Sequence, residues 1–102
     1  MVFTLVVHLY AKDDEASISA IRNKLHEASQ VYVKDQGTLS WFVMQGSEDK
    51  RAFTIVERYD QESSLHIHVA NPFYKEFGVF VRPLLEKPLE ILKFHEIDGP
   101  KL

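Results

Sequence analysis

The chain contains no cysteine, which removes disulfide frameworks, thiolate metal sites and cysteine nucleophiles together. That absence is compatible with any redox compartment. No large excess of one charge is present either: 12 basic and 15 acidic side chains are interspersed, for a net charge of −3. Without an extended basic patch, nucleic acid is not an expected partner. The N-terminal "MVFTLVVHLY" is apolar but has no basic n-region and no small-residue cleavage site. It is far shorter than the ~20 residues that cross a bilayer. It reads as a strand, and the expectation is a soluble, cytoplasmic protein with no membrane partner. No repeat, linker or low-complexity segment divides the chain, so residues 1–102 are expected to form one domain.

What is present is ample apolar material, 45% of 102 residues, arranged with clear periods. Residues 2–10 alternate, with Phe3, Leu5, Val7 and Leu9 on one side and Val2, Thr4, Val6, His8 and Tyr10 on the other. Asp13 or Asp14 offers an N-cap for a helix over about 14–33, whose buried stripe is Ile18, Ile21, Leu25, Ala28 and Tyr32. Gly37 suits a left-handed turn. Strands follow at 38–46 and 51–59, joined by the polar turn "GSEDK". A helix should begin near Asp60 and break before Pro72, after which Phe73, Phe77, Phe80 and Leu84 resume helical spacing. A fourth strand is predicted over 88–97.

The order β-α-β-β-α-β predicts an α+β, ferredoxin-like fold with a four-stranded antiparallel sheet. Two helices cover only one side of such a sheet, yet both sides are apolar. Phe42 and Met44 oppose Trp41 and Val43, while Leu92 and Phe94 oppose Leu89 and Ile91. A water-facing side would read polar. The second face therefore predicts a homodimer with sheets packed face to face, a dimeric α+β barrel.

His66 and His68 are the most conspicuous polar residues in "SSLHIHVANPFYKEF". Two positions apart on a helix lie about 200° apart around the axis, so the pair cannot share a metal. No further ligands stand at readable spacing, and no metal site is expected. His66 should be solvated and His68 should face the core beside Leu65 and Val69. Trp41, Tyr59, Phe73, Phe77, Tyr32 and Phe80 could wall a cavity there, with His8, Glu57 and Arg58 as polar neighbours.

The stretch "FTIVERYDQESSLHIHVANPFYKEF" resembles the signature of the antibiotic biosynthesis monooxygenase superfamily. Its elements fall on Glu57, Tyr59, Leu65, His68, Pro72, Phe73, Tyr74, Lys75 and Phe77. Upstream, "KDQGTLSW" resembles that family's hairpin entry, with Gln36 in place of the usual proline and Trp41 in place of tyrosine. The resemblance implies dimeric α+β barrel subunits. It also implies a cofactor-free oxygenase that converts phenolic or hydroquinone-type aromatics to quinones. The haem-degrading branch is the least similar: Gly78 stands where its axial histidine would be. Members that isomerise phosphorylated sugars would want more cations around the pocket than the sequence readily offers.

On that reading the catalytic candidates are His68, as base or orienting group, with Tyr59 and His8. Trp41, Phe73, Phe77 and Arg58 would bind the substrate, and no cofactor is required. Strand alternation sets Arg58 and Tyr59 on opposite faces. The alternative is a non-catalytic dimeric barrel that binds a small apolar ligand or serves as a stress-related interaction module.

Overall fold

The computed structural model describes residues 1–97. Strand β1 (Phe3–Tyr10) leads into helix α1 (Glu15–Tyr32), then the hairpin β2 (Thr38–Gln45) and β3 (Ala52–Tyr59). A 3-10 turn at Glu62–Ser64 opens helix α2 (Leu65–Ala70), which is followed by α3 (Pro72–Val81), a second 3-10 turn at Arg82–Leu84, and β4 (Glu90–His95). The sheet is antiparallel in the order β2-β3-β1-β4, the expected ferredoxin-like topology. Strand β4 is shorter at both ends than the predicted 88–97.

Local chemistry accounts for the boundaries. Asp14 caps α1: its Oδ1 accepts from the Ser17 backbone N–H at 2.7 Å and its Oδ2 from the Ser17 hydroxyl at 3.0 Å. Gly37 has φ +88°, and a Cβ there would collide with Ser64 as well as strain the backbone. Pro72 forces Asn71 into an extended conformation and so ends α2. The same Asn71 then caps α3, accepting from the Phe73 N–H at 3.0 Å while its amide donates to Asp35 at 2.9 Å. That last bond ties the kink between α2 and α3 to the turn that follows α1.

All three helices pack on one sheet face. Phe3, Leu5, Val7, Leu9, Phe53, Ile55 and Tyr59 meet Ile21, Leu25, Ala28 and Tyr32 in one buried core. Coverage stops short of β4, whose residues are all exposed; even Ile91, paired beside Val7, is 47% exposed. Val69, expected inward, is also exposed, because α2 turns only His68 fully into the interior. Among the described residues, no helix is long and apolar enough to cross a membrane.

Candidate functional site

Incomplete coverage of β4 leaves a cavity of about 730 Å³ between α3 and the sheet. Val7, Ile55, Leu89 and Ile91 form its sheet side, and Phe77, Gly78 and Val79 its helix side. Tyr32, Trp41, Glu57 and His68 close its inner end. The exposed Tyr74, Lys75, Arg82, Glu86 and Lys87 surround its opening.

Period-two alternation on β3 turns Phe53, Ile55, Glu57 and Tyr59 toward the helices, so a carboxylate enters an apolar layer. Glu57 sits between Trp41 on β2 and Leu5 on β1 and is 4% exposed. Burial pushes its carboxyl up to about 7. Two groups oppose the rise: the Tyr59 hydroxyl, which donates to Oε1 at 2.6 Å, and the Trp41 indole, whose N–H favours the ionised form without closing a hydrogen bond. Burial also raises the Tyr59 and Tyr32 hydroxyls well above the usual phenol range, with the Glu57 charge adding to the effect.

His68 approaches from α2. Its ring lies 4.1 Å from the Tyr32 ring and edge-on to Tyr74 at 5.3 Å. This apolar enclosure lowers its basicity to a pKa of about 4, so the imidazole is neutral at pH 7. Its Nε2 stands 3.5 Å from Glu57 Oε1, while its Nδ1 and the Tyr32 hydroxyl are buried without hydrogen-bond partners. Unpaired polar atoms of this kind cost about 1–3 kcal/mol each, a cost that a ligand hydroxyl or water in the cavity would offset. The arrangement can therefore bind an apolar ring, exchange a proton near neutral pH and hydrogen-bond a hydroxyl.

Of the residues proposed from sequence, His68, Trp41 and Phe77 line the cavity. Tyr59 stands behind the cavity wall, bonded to Glu57 and with its ring 5.8 Å from that of His68, and Phe73 packs behind the site, edge-on to Tyr32 at 5.5 Å. His8 and Arg58 lie elsewhere, because their parity on β1 and β3 turns them to the opposite sheet face. There His8 Nδ1 meets the Thr54 hydroxyl at 3.1 Å, and Arg58 pairs with Glu96 at 2.7 Å. His66 is exposed, away from His68. Glu57, a signature element and a polar neighbour in the sequence but not among its catalytic candidates, is the residue that sequence reasoning misses, and a carboxylate on the inward face of β3 is the signal that could have found it.

Solved structures share this fold. A protein provisionally named an antibiotic biosynthesis monooxygenase, from Deinococcus radiodurans, matches with a TM-score of 0.86 at 20% identity, covering 100% of this chain and 98% of its own. Another so named, from Nitrosomonas europaea, matches with a TM-score of 0.87 at 14% identity, covering 94% and 99%. A conserved protein from Methanosarcina mazei Go1 gives 0.86 at 21% identity, covering 95% and 94%. No protein-family model and no curated protein matches the sequence.

Proposed function

We propose that this protein is a cytoplasmic homodimer of the antibiotic biosynthesis monooxygenase superfamily. Each subunit would take a small phenolic or hydroquinone-type aromatic into the cavity and oxidise it with dioxygen. One observation carries this reading: the apolar cavity ends at a carboxyl held near pKa 7 beside a neutral imidazole.

In this mechanism Glu57, rather than His68, is the base. A group with a pKa near the working pH transfers protons most effectively, and His68 at about 4 is too weakly basic. Ionised Glu57 removes the phenolic proton, and His68 hydrogen-bonds and orients the substrate oxygen. Apolar walls and Trp41 hold the ring and keep the phenolate poorly hydrated and electron-rich. The anion donates electrons to dioxygen, a C–O bond forms at a ring carbon, and the O–O bond breaks. Net, a phenol and O₂ give a quinone and water, with the substrate supplying all the electrons and no resident cofactor required.

The fold names of its neighbours support the superfamily assignment. The homodimer rests on the uncovered sheet face, where Phe42, Val56, Val6 and Leu92 form one apolar row across all four strands.

Oxygen uptake and product mass with a panel of naphthols, hydroquinones and anthrones test the reaction. Turnover should be detectable, with one atom of labelled dioxygen in the product, and Glu57→Gln should lower it by about 10²-fold or more. Binding of these compounds without oxygen consumption would overturn the enzymatic reading in favour of a ligand-binding barrel.

A further inference from the structure

The cavity opening carries charges that proton transfer at its inner end does not use. Lys75 and Arg82 both line it, seven residues apart and thus on one face of α3 as it runs into the 3-10 turn. Between them is Gly78, also in the cavity wall. The Arg82 Nη2 lies 4.0 Å from where a Gly78 Cβ would stand, so the guanidinium lies back along the helix beside the glycine. Neighbouring acids are engaged elsewhere: Glu76 with Lys24 at 3.6 Å, and Glu86 with Arg51 at 3.9 Å. Lys87 stands over the Tyr10 ring at 5.4 Å. Among the described residues, Lys75 and Arg82 have no carboxylate within 4.0 Å.

We infer that the ligand of this cavity is an aromatic acid: a hydroxylated ring bearing one carboxylate, which Lys75 and Arg82 hold at the opening while the hydroxyl reaches Glu57 and His68. The inference deepens the reading of the same cavity, but its electrostatics do not depend on the oxygenation step. Two unpaired cations with Glu86 beside them suit a single negative charge, and the apolar walls suit a ring. Arginine supplies a planar fork that matches a carboxylate, and lysine adds a mobile point charge. The sequence names Lys75 only as a signature element, because helical spacing alone does not reveal which face of α3 borders empty space.

Calorimetric titration with 6-hydroxy-2-naphthoic acid and with the uncharged 2-naphthol provides the test. The acid should bind about tenfold more tightly or better, and the difference should shrink as ionic strength rises. Lys75→Gln with Arg82→Gln should bring the acid down to the affinity of 2-naphthol and leave 2-naphthol unchanged. Both side chains are exposed, so the double variant should fold. Equal affinities, no measurable binding of the acid, or a preference that survives the double substitution would each overturn the inference. Oxygen uptake, followed in parallel, separates the two readings. Charge-selective binding without turnover sinks only the oxygenase, whereas turnover of 2-naphthol without charge preference sinks only the anion site.

Discussion

His68 Nε2 lies 3.5 Å from Glu57 Oε1, with both side chains buried, and burial raises the acid to about 7 while it lowers the imidazole to about 4. Burial alone sets this order, since it penalises whichever form is charged. Two neutral groups facing one another avoid the desolvation cost of a buried ion pair.

This inversion predicts an unusual dependence of stability on pH. Glu57 loses its proton near 4.5 when unfolded but near 7 when folded, so between those values folding takes up a proton and stability falls as pH rises. His68 titrates near 6.5 when unfolded and near 4 when folded, so between those values folding releases a proton and stability rises with pH. From pH 4.5 to 6.5 the two contributions cancel. Relative to wild type, Glu57→Gln should expose the rising limb and His68→Gln the falling one, the slopes departing from the wild-type slope in opposite directions by up to about 1.4 kcal/mol per pH unit. Urea unfolding of the three proteins at pH 4.5, 5.5 and 6.5 measures this. Departures from the wild-type slope of the same sign in both variants would rule out the neutral pair.

The sheet and the long helix were legible because their periods are undiluted. The stripe Ile21, Leu25, Ala28, Tyr32 and the alternation in β1 each point to one face, and tertiary packing agrees. That alternation also held the information against His8, which shares its parity with Val6 and Thr4 on the outer face. The cavity was not legible. It depends on how far α3 stands from β4, two elements that no short sequence window relates, and on Ile91 remaining uncovered despite an inward parity.

Gly78 gives the cavity its width on the helix side. A Cβ there would meet only the far end of Arg82, so no packing contact demands glycine. In a helix interior glycine costs about 1 kcal/mol relative to alanine. Gly78→Leu should therefore keep or raise the melting temperature while projecting a branched side chain into the space a ring would occupy. Affinity for 2-naphthol, measured by calorimetry, should fall by about tenfold or more. A stable variant that binds normally would show that ligands do not use this part of the cavity.

The uncovered sheet face leads to a test independent of the cavity, since it is the other side of the same strands. Phe42 is 56% exposed and Leu92 37%, with Val56 and Val6 between them in register. At about 4.8 Å per strand the row spans about 14 Å, and Met44 and Phe94 widen it. Arg58, held by Glu96 at 2.7 and 2.9 Å, borders it at one end, where Thr4 also bonds Glu96. An apolar centre with a satisfied polar margin is the anatomy of a protein interface, not of a water-facing sheet. Light scattering after size exclusion should give twice the 11.8 kDa chain mass at micromolar concentration. Phe42→Asp or Leu92→Asp should shift the protein toward the single-chain mass, because two aspartates related by the two-fold axis would be buried without partners. Both positions are exposed in the single subunit, so the monomers should retain the far-UV circular dichroism of the parent. A wild-type protein that elutes at the single-chain mass would refute pairing through this face.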